Sequence, residues 1–448
     1  MYLNARYSLA IEALEEERSI AAVFLRVRAL YRFQALDEAA SFLAEVTERR
    51  DLDEHQRTEA AVLAYIRHTR SLDLSCLESD RLRAKRLVER LGDVDLESEF
   101  WATDATLAYV SNDLDGCERA AWMAIHCDLT LAVITTSAPL SVVPISNSKA
   151  RALQLLGITR GSRGRFHEQL RFLREAVVTL KKAQPPDLYL LAYCYTNLSF
   201  SARDFGVLDD IVQLELVETT TWPRSLHWLA LETQRSCGWL YALAGDDARA
   251  FATFERLAQE RERYFSRDGF WLAVIGDAMI VADASGVGST MLPDQSDAAS
   301  VAESFDWTDY PEQRFALSLF ARALAKREPD RAGRLIEMDD SLGDTAYSLA
   351  NIDRRSSASH AFRVGVVYAN QGRREQAYES IVQAYTIWAE YGQRWQAVDA
   401  ALEIVATGYD DGSFARYAKR ESKAYPNSWL ARRADALELT SPSSSSST

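Results

Sequence analysis

The chain has 448 residues, of which 48% are hydrophobic and 26% charged, with a formal net charge of −14. This composition is that of a folded protein, and the length allows either two or three ordinary domains or one long solenoid. The negative charge disfavours direct binding of nucleic acid or of an anionic membrane surface. Five cysteines without a CxxC pair predict free thiols in a reducing compartment, and therefore a cytoplasmic protein.

The N-terminal residues, MYLNARYSLAIEALEEER, have no basic start and no long apolar core, so they do not predict a signal peptide. From Tyr2 to about Leu437 the apolar residues recur with helical spacing, and alternating strand patterns are nearly absent, which predicts an all-α fold. The uncharged segment 129–148 interrupts this rhythm. Its prolines Pro139 and Pro144 and its many hydroxyl groups disfavour a membrane-spanning helix.

A spacing of small residues is repeated along the chain. A glycine is followed by a second glycine after seven residues, by an alanine in two of three cases after twelve, and by a large apolar residue after sixteen. We expect the first glycine to lie where two antiparallel helices cross and the second to end the first helix. The residues that carry this signature are Gly157, Gly164, Gly238, Tyr241, Gly245, Ala250, Phe254, Gly365, Tyr368, Gly372, Ala377 and Ala384.

This layout resembles the tetratricopeptide repeat (TPR) family, best in 232–265 and 359–392 and fairly in 151–184. The usual tryptophan and closing proline of that family are missing, so the chain resembles a divergent member. The resemblance implies a right-handed superhelical solenoid of antiparallel helix hairpins. Weaker anchors bring the total to about ten hairpins with a period of about 40 residues, longer than the usual 34. These anchors are Val27, Leu72, Ala108, Ser199, Val281, Ala323 and Val405.

Composition predicts the domain boundaries. The segment 283–313 is rich in Gly, Ser, Asp and Pro and is predicted to be a flexible loop or hinge between an N-terminal array, 1–282, and C-terminal repeats, 314–438. Trp307, in this segment, is the tryptophan that we expect to be exposed. The tail 439–448 ends in a run of serines and is predicted to be disordered.

No known catalytic motif is present: the chain lacks a GxSxG elbow, a dinucleotide fingerprint and a phosphate-loop lysine. The histidines and cysteines do not have the spacing of a zinc site. We therefore predict no catalytic residue, no metal and no cofactor. An enzyme with an unrecognised site is one alternative.

The groove is the candidate binding site. In TPR-like hairpins the first helix lines the inner face. A mixture of arginine, aromatic and amide side chains there is suited to bind a protein or peptide. The arginines favour an acidic partner. The alternative is that Arg203 and Arg235 pair with the local acids Asp204 and Glu232, and that Trp239 lies in the core. The candidate residues are Arg151, Gln154, Tyr193, Phe200, Arg203, Arg235, Trp239, Phe362 and Asn370.

The predicted function is thus a non-catalytic scaffold with a regulatory or adaptor role that binds a protein or peptide. A looser resemblance concerns the C-terminal part: AYTIWAEYGQRWQAVDAALEIVATG and AYPNSWLARRADAL are similar to the repeat region of large LuxR-type transcription regulators of bacteria. This implies an alternative, the sensor part of such a regulator without its own DNA-binding domain. Whether identical chains assemble stays open.

Overall fold

The computed structural model describes residues 11–14, 17, 19–33, 35–71, 74–134, 145–182, 187–211, 214, 226–261, 268–285, 295–308, 313–342 and 354–440. Within these ranges no residue is in a β-strand, and most described residues lie in α-helices. They are α1 (Ile20–Phe33), α2 (Leu36–Thr47), α3 (Glu54–Ser71), α4 (Leu74–Leu91), α5 (Val94–Val110), α6 (Leu114–Ile134), α7 (Ile145–Ser162), α8 (Phe166–Lys182), α9 (Leu188–Phe205), α10 (His227–Ala244), α11 (Asp247–Gln259), α12 (Asp268–Ser285), α13 (Gln295–Ser304), α14 (Phe315–Leu324), α15 (Pro329–Ser341), α16 (Arg354–Asn370), α17 (Arg374–Glu390), α18 (Arg394–Thr407), α19 (Ser413–Glu421) and α20 (Trp429–Thr440).

The chain forms two compact units. The N-terminal unit contains Met1–Leu198 and Trp222–Leu226, and the C-terminal unit contains Ser199–Thr221 and His227–Thr448. Within each unit, consecutive helices pack as antiparallel pairs, as in α5 with α6, α7 with α8 and α16 with α17. No single hairpin can bury its apolar face alone, so each packs on its neighbour. The predicted all-α fold of TPR-like helix hairpins is confirmed.

The anchor glycines lie at the helix crossings, as predicted. A Cβ atom added to Gly238 would lie 2.7 Å from Cζ of Phe254, the residue sixteen positions later. A Cβ added to Gly365 would lie 2.5 Å from Cγ1 of Ile381, and one added to Gly157 would lie 2.9 Å from Cγ of Leu173. Normal carbon contacts are about 3.5–4.0 Å, so only glycine fits at these crossings.

The second glycine of each repeat ends the first helix in the left-handed conformation. The φ angles are +74° at Gly164, +82° at Gly245 and +78° at Gly372. Residues other than glycine rarely adopt this backbone conformation, because their Cβ atom then collides with the backbone. The other signature positions lie in the hairpin cores. Ala250, Phe254, Ala377 and Ala384 have no exposed surface, and the guanidinium groups of Arg249 and Arg373 lie over the rings of Tyr241 and Tyr368.

The prediction that Trp307 is exposed is wrong. Only 3% of Trp307 is exposed, and its indole N–H donates to the carbonyl of Ala302 at 3.0 Å. The ring of Phe305 packs edge-on against it, with the ring centroids 4.7 Å apart. The reason is that the segment 283–313 contains the short helix α13, whose Ala302 carbonyl accepts the hydrogen bond of the indole. The flexibility of this segment and the boundary it was predicted to mark stay predictions.

Two other predictions fall partly outside the described residues. Helix α20 continues to Thr440, two residues into the predicted tail, and 441–448 lie outside the described residues. Of the uncharged segment, α6 and α7 contain the two ends and 135–144 lie outside the described residues. Among the helices that the structure describes, none is long and apolar enough to cross a membrane.

Candidate functional site

A cavity of about 350 Å³ lies inside the N-terminal unit. Its walls come from the first helices of successive hairpins, α1, α3, α5, α7 and α9, together with the residue before α9. The lining residues are Arg28 and Tyr31; Leu63, Ile66, Thr69 and Arg70; Glu99, Ala102, Thr103 and Thr106; Asn147, Ser148, Arg151 and Gln154; and Asp187, Tyr189, Leu190 and Tyr193. The first helices therefore line the inner face, as the repeat pattern predicts.

An ion network holds the wall made by α1, α3 and α5. Arg28 is only 4% exposed, and its two terminal nitrogens donate to the two carboxylate oxygens of Glu99 at 2.8 and 2.9 Å. One of them also donates to Glu59 at 3.0 Å. Burial raises the pKa of Glu59, and the attraction of Arg28 opposes that rise. Such a bidentate pair fixes the orientation of both side chains.

Two further hydrogen bonds fix the neighbouring part of this wall. The hydroxyl of Tyr31 donates to the carbonyl of Leu63 at 2.8 Å, and burial raises the pKa of this hydroxyl. Arg70 donates to the carbonyl of Tyr31 at 2.7 Å. Helices α1 and α3 are therefore held together by contacts between residues more than thirty positions apart in the sequence.

The part of the lining on α7 carries polar groups of a different kind. Asn147, Ser148, Arg151 and Gln154 lie on one face of the helix, because their spacing follows the helical period. Asn147 is 6% exposed and Gln154 is 5% exposed. The Oδ1 atom of Asn147 is buried without a hydrogen-bond partner among the described residues. A buried carbonyl oxygen without a partner costs free energy, so this face is suited to a ligand that donates a hydrogen bond to it.

The start of α9 completes the lining. The carboxylate of Asp187 accepts a hydrogen bond from the backbone N–H of Leu190 at 3.0 Å and so caps the helix. The rings of Tyr189 and Tyr193 lie one turn apart with their centroids 5.0 Å apart. Tyr189 also packs against the buried Ala29 of α1. The first and last of the lining helices, α1 and α9, thus contact each other.

Three of the predicted binding residues line this cavity: Arg151, Gln154 and Tyr193. The other six predicted residues lie in the C-terminal unit. Of these, Phe200 is half-buried and Asn370 is exposed, and the amide of Asn370 donates to the carbonyl of Val366 one turn earlier at 2.8 Å. Any binding role for these two residues stays a prediction.

The two predicted arginines of the C-terminal unit form ion pairs within the protein. Arg203 pairs with Asp204 at 2.9 Å. Arg235 is 4% exposed and pairs with Glu232 at 2.9 Å and with Asp277 at 2.6 Å. The net pKa of Arg235 is raised: burial alone would lower it, but the attraction of the two carboxylates outweighs the effect of burial. Arg235 is therefore a buried structural cation, which corrects its assignment to an accessible groove.

Trp239 and Phe362 are corrected in the same way. Trp239 is buried and stacks on Trp395 with the ring centroids 5.3 Å apart. Phe362 is buried in the core of the C-terminal repeats and packs edge-on against Trp388 at 5.1 Å. Both rings fill space between hairpins, because large apolar residues on first helices also face the neighbouring repeat. The alternative interpretation of Arg235 and Trp239, with local ion pairs and a core tryptophan, matches the structure.

Several cavity residues could have been predicted from the same spacing. The inner-face positions of a repeat lie one, four and five residues after the anchor and three and six residues before it. Arg151 and Tyr193 were selected because they lie six residues before the anchors Gly157 and Ser199, and the same rule applies to the other anchors. It places Arg28 and Tyr31 one and four residues after Val27, and Ala102 six residues before Ala108. Other lining residues carry no such signal. Glu99, Asn147 and Ser148 lie nine or ten residues before their anchors, beyond the positions that the rule covers.

No protein-family model and no curated protein matches the chain. Among solved structures, it is similar to a Rap protein complexed with competence and sporulation factor, at 12% identity over 94% of this chain and 97% of that one, with a TM-score of 0.42. The apo form of RapI is 11% identical over 94% and 99% of the two chains, with a TM-score of 0.45. The Rap conjugation gene regulator of plasmid pLS20, in complex with the Phr* peptide, is 14% identical over 98% of each chain, with a TM-score of 0.38. At these values the similarity carries no information about a ligand.

Proposed function

We propose that this protein is a non-catalytic scaffold that binds a short peptide in the cavity of its N-terminal unit, with a regulatory or adaptor role in the cytoplasm. The observation that carries the proposal is the polar face of α7, where the buried Oδ1 atom of Asn147 has no hydrogen-bond partner among the described residues. A few convergent polar groups in a concave site are typical of ligand pockets.

The chemistry of this face favours a peptide. A carboxamide side chain offers a donor and an acceptor together, and a peptide group offers the matching acceptor and donor. Asn147 and Gln154 are seven residues apart, about 10 Å along a helix that rises about 1.5 Å per residue. That distance equals about three residues of extended peptide at about 3.3–3.6 Å each. The two amides can therefore contact peptide groups in one short extended segment.

The cavity volume sets the size of the ligand. At about 350 Å³ it lies near the lower end of the roughly 300–1,000 Å³ that is usual for ligand pockets. This space admits a few residues and excludes a folded domain. Tyr189 and Tyr193 add flat apolar surface beside the amides, which suits a peptide side chain.

The test is retention of peptides by the intact chain. A mixture of N-acetylated tetrapeptide acids is equilibrated with the protein, and the retained peptides are identified by mass spectrometry after ultrafiltration. We expect the wild-type protein to retain a defined subset of the peptides. The amount of these peptides retained by Gln154→Leu should be at least tenfold lower. Leucine keeps the volume of the side chain and removes both hydrogen-bonding groups, so the cavity keeps its shape.

The matched control is Gln259→Leu, an exposed glutamine of the C-terminal unit. It should retain the same peptides as the wild-type protein. If the wild-type protein retains no peptide, the proposed function is refuted. If Gln154→Leu retains peptides as well as Gln259→Leu does, the peptide site is not in this cavity.

A further inference from the structure

Helices α6 and α8, the second helices of two consecutive hairpins, carry an exposed patch that the peptide cavity does not use. We infer that this patch, which we call the α6–α8 patch, is a docking surface for an acidic amphipathic helix of another protein. Neither helix contributes a described residue to the cavity lining, so the two surfaces are distinct. The inference rests on exposed apolar side chains, on cations without a local partner and on the spacing of both along the helices.

Exposed apolar side chains are concentrated on these two helices. Six large hydrophobic side chains are exposed in the described part of the chain, and three of them lie here: Trp122 is 37% exposed, Met123 43% and Val178 47%. Trp122 of α6 packs edge-on against Phe172 of α8, with the ring centroids 5.9 Å apart, so the apolar surface continues from one helix to the other. Apolar patches with a polar rim are typical of protein-binding surfaces.

The cations around these side chains have no acidic partner. Arg119 of α6 and Arg171 and Lys182 of α8 are exposed, and none of the three forms an ion pair with a described residue. The guanidinium of Arg171 lies 4.7 Å from the ring centroid of Phe172, which places its charge beside the apolar surface. In a protein with a net charge of −14, such a group of cations favours an acidic partner, because complementary charges steer association.

The acids of the same helices do not balance these cations. Asp115 and Glu118 pair with Arg163 at 2.5 and 2.8 Å, and Glu168 pairs with Arg160 at 3.5 Å. Among the described side chains of α6 and α8, the exposed Glu175 is the one acid outside an ion pair. The patch is therefore positive, and two copies of it would repel each other. A symmetric dimer through this surface is disfavoured for that reason.

The spacing of these groups suits a helix as the partner. Arg171, Val178 and Lys182 are separated by seven and four residues and so lie on one face of α8. The eleven residues from Arg171 to Lys182 span about 16 Å, which equals about three turns of a docked helix. Such a helix can lay apolar residues on Trp122 and Met123 and carboxylates beside the cations. Nucleic acid is disfavoured, because its phosphates would lie against the apolar centre of the patch.

The experiment uses the full-length protein and three designed peptides of about 15 residues, or about four helical turns. The acidic peptide has leucines at spacings of three and four, with glutamate and alanine between them. The basic peptide has lysine in place of every glutamate, and the polar peptide has serine in place of every leucine. Each carries an N-terminal fluorophore and a C-terminal carboxamide, and binding is measured by fluorescence anisotropy. We expect the acidic peptide to bind at least tenfold more tightly than either of the others, with an affinity that falls as salt is added.

Charge reversal locates the contact. Arg171→Glu with Lys182→Glu should weaken binding of the acidic peptide at least tenfold, and Met123→Gln, which keeps the length of the side chain, should weaken it at least threefold. The matched control is Arg83→Glu with Arg86→Glu, which makes the same charge change at two exposed arginines of α4 and should bind as the wild-type protein does. Thermal melting of each variant shows that loss of binding is not loss of the fold.

Several results would overturn the inference. One is failure of the wild-type protein to bind the acidic peptide, and another is equal binding by the α8 charge-reversal variant and its α4 control. Loss of binding in Gln154→Leu would place the peptide in the cavity instead. Self-association in analytical ultracentrifugation, or sedimentation with phosphatidylserine vesicles, would identify a second copy or a membrane as the occupant if charge reversal on α8 abolished it. None of these results changes the retention of tetrapeptides, which tests the proposed function.

Discussion

Replacement of Gly238 by alanine tests the helix crossing at the centre of a repeat. A Cβ at this position would lie 2.7, 2.9 and 3.0 Å from three ring carbons of Phe254, which has no exposed surface. Normal contacts need about 3.5–4.0 Å, so the ring or the helix has to move by about 1 Å. Overpacking of this kind costs about 1–3 kcal/mol.

The matched control is Gly276→Ala, because both glycines lie inside helices of the same unit. At Gly276 the nearest atoms to the added Cβ are Cα of Phe320 at 3.4 Å and Cγ of Leu319 at 3.5 Å, which are ordinary contacts. Alanine is better than glycine inside a helix by about 1 kcal/mol at either site. Gly276→Ala should therefore stabilise the protein by up to about 1 kcal/mol, and Gly238→Ala should be less stable than Gly276→Ala by about 1–3 kcal/mol.

The assay is thermal unfolding followed by circular dichroism, in which 1 kcal/mol corresponds to about 2–4 °C for a unit of this size. The double variant Gly238→Ala with Phe254→Leu should be more stable than the sum of the two single variants predicts, because the shorter side chain removes the clash. Equal melting temperatures for Gly238→Ala and Gly276→Ala, or strict additivity in the double variant, would refute the role of glycine at the crossing.

Three other predictions concern buried polar groups. Arg235→Ala should lower the free energy of unfolding in urea by about 3–5 kcal/mol, because it leaves two acids buried without a cation; Arg203→Ala, at a partly exposed pair, should cost about 0–1 kcal/mol. One thiol per chain, that of the exposed Cys76, should react rapidly with a thiol reagent at pH 8, whereas burial raises the pKa of Cys117 to about 11 and protects it; several fast thiols would contradict this. Because the pKa of Glu59 is raised in the folded state, its stabilising contribution is complete at low pH and is lost as the pH rises through the folded pKa. Glu59→Gln should therefore gain stability relative to the wild-type protein as the pH rises from the ordinary pKa of a glutamate through the raised one, and a constant difference in melting temperature would contradict the raised pKa.

The repeat fold could be predicted from the sequence because its constraints are local. A glycine at a crossing, a left-handed glycine after seven residues and an apolar residue after sixteen all lie within one hairpin, so their spacing is preserved along the chain. Gly157, Gly238 and Gly365 therefore showed both the fold and the register. The same register selected Arg151 and Tyr193, which line the cavity of the N-terminal unit.

The site could be predicted only in part because burial depends on partners far away in the sequence. Arg235 is buried against Asp277, 42 residues later, and no pattern within the repeat indicates this contact. The burial of Trp307 depends on a short helix whose polar composition is typical of a loop. Asn147 precedes its anchor by ten residues, outside the inner-face positions of the motif. Only the three-dimensional structure shows that its oxygen has no hydrogen-bond partner in the part of the chain that is described. The resemblance to LuxR-type regulators stays a prediction.

The buried amides of α7 have a consequence for laboratory evolution of this protein. A leucine at Asn147 or Gln154 removes a polar group that the free protein has to keep dehydrated, so selection for heat resistance alone should enrich apolar residues there. Selection that also demands the natural activity should retain both amides. Positions at which the two selections diverge would form a map of the ligand contacts, obtained without knowing the ligand.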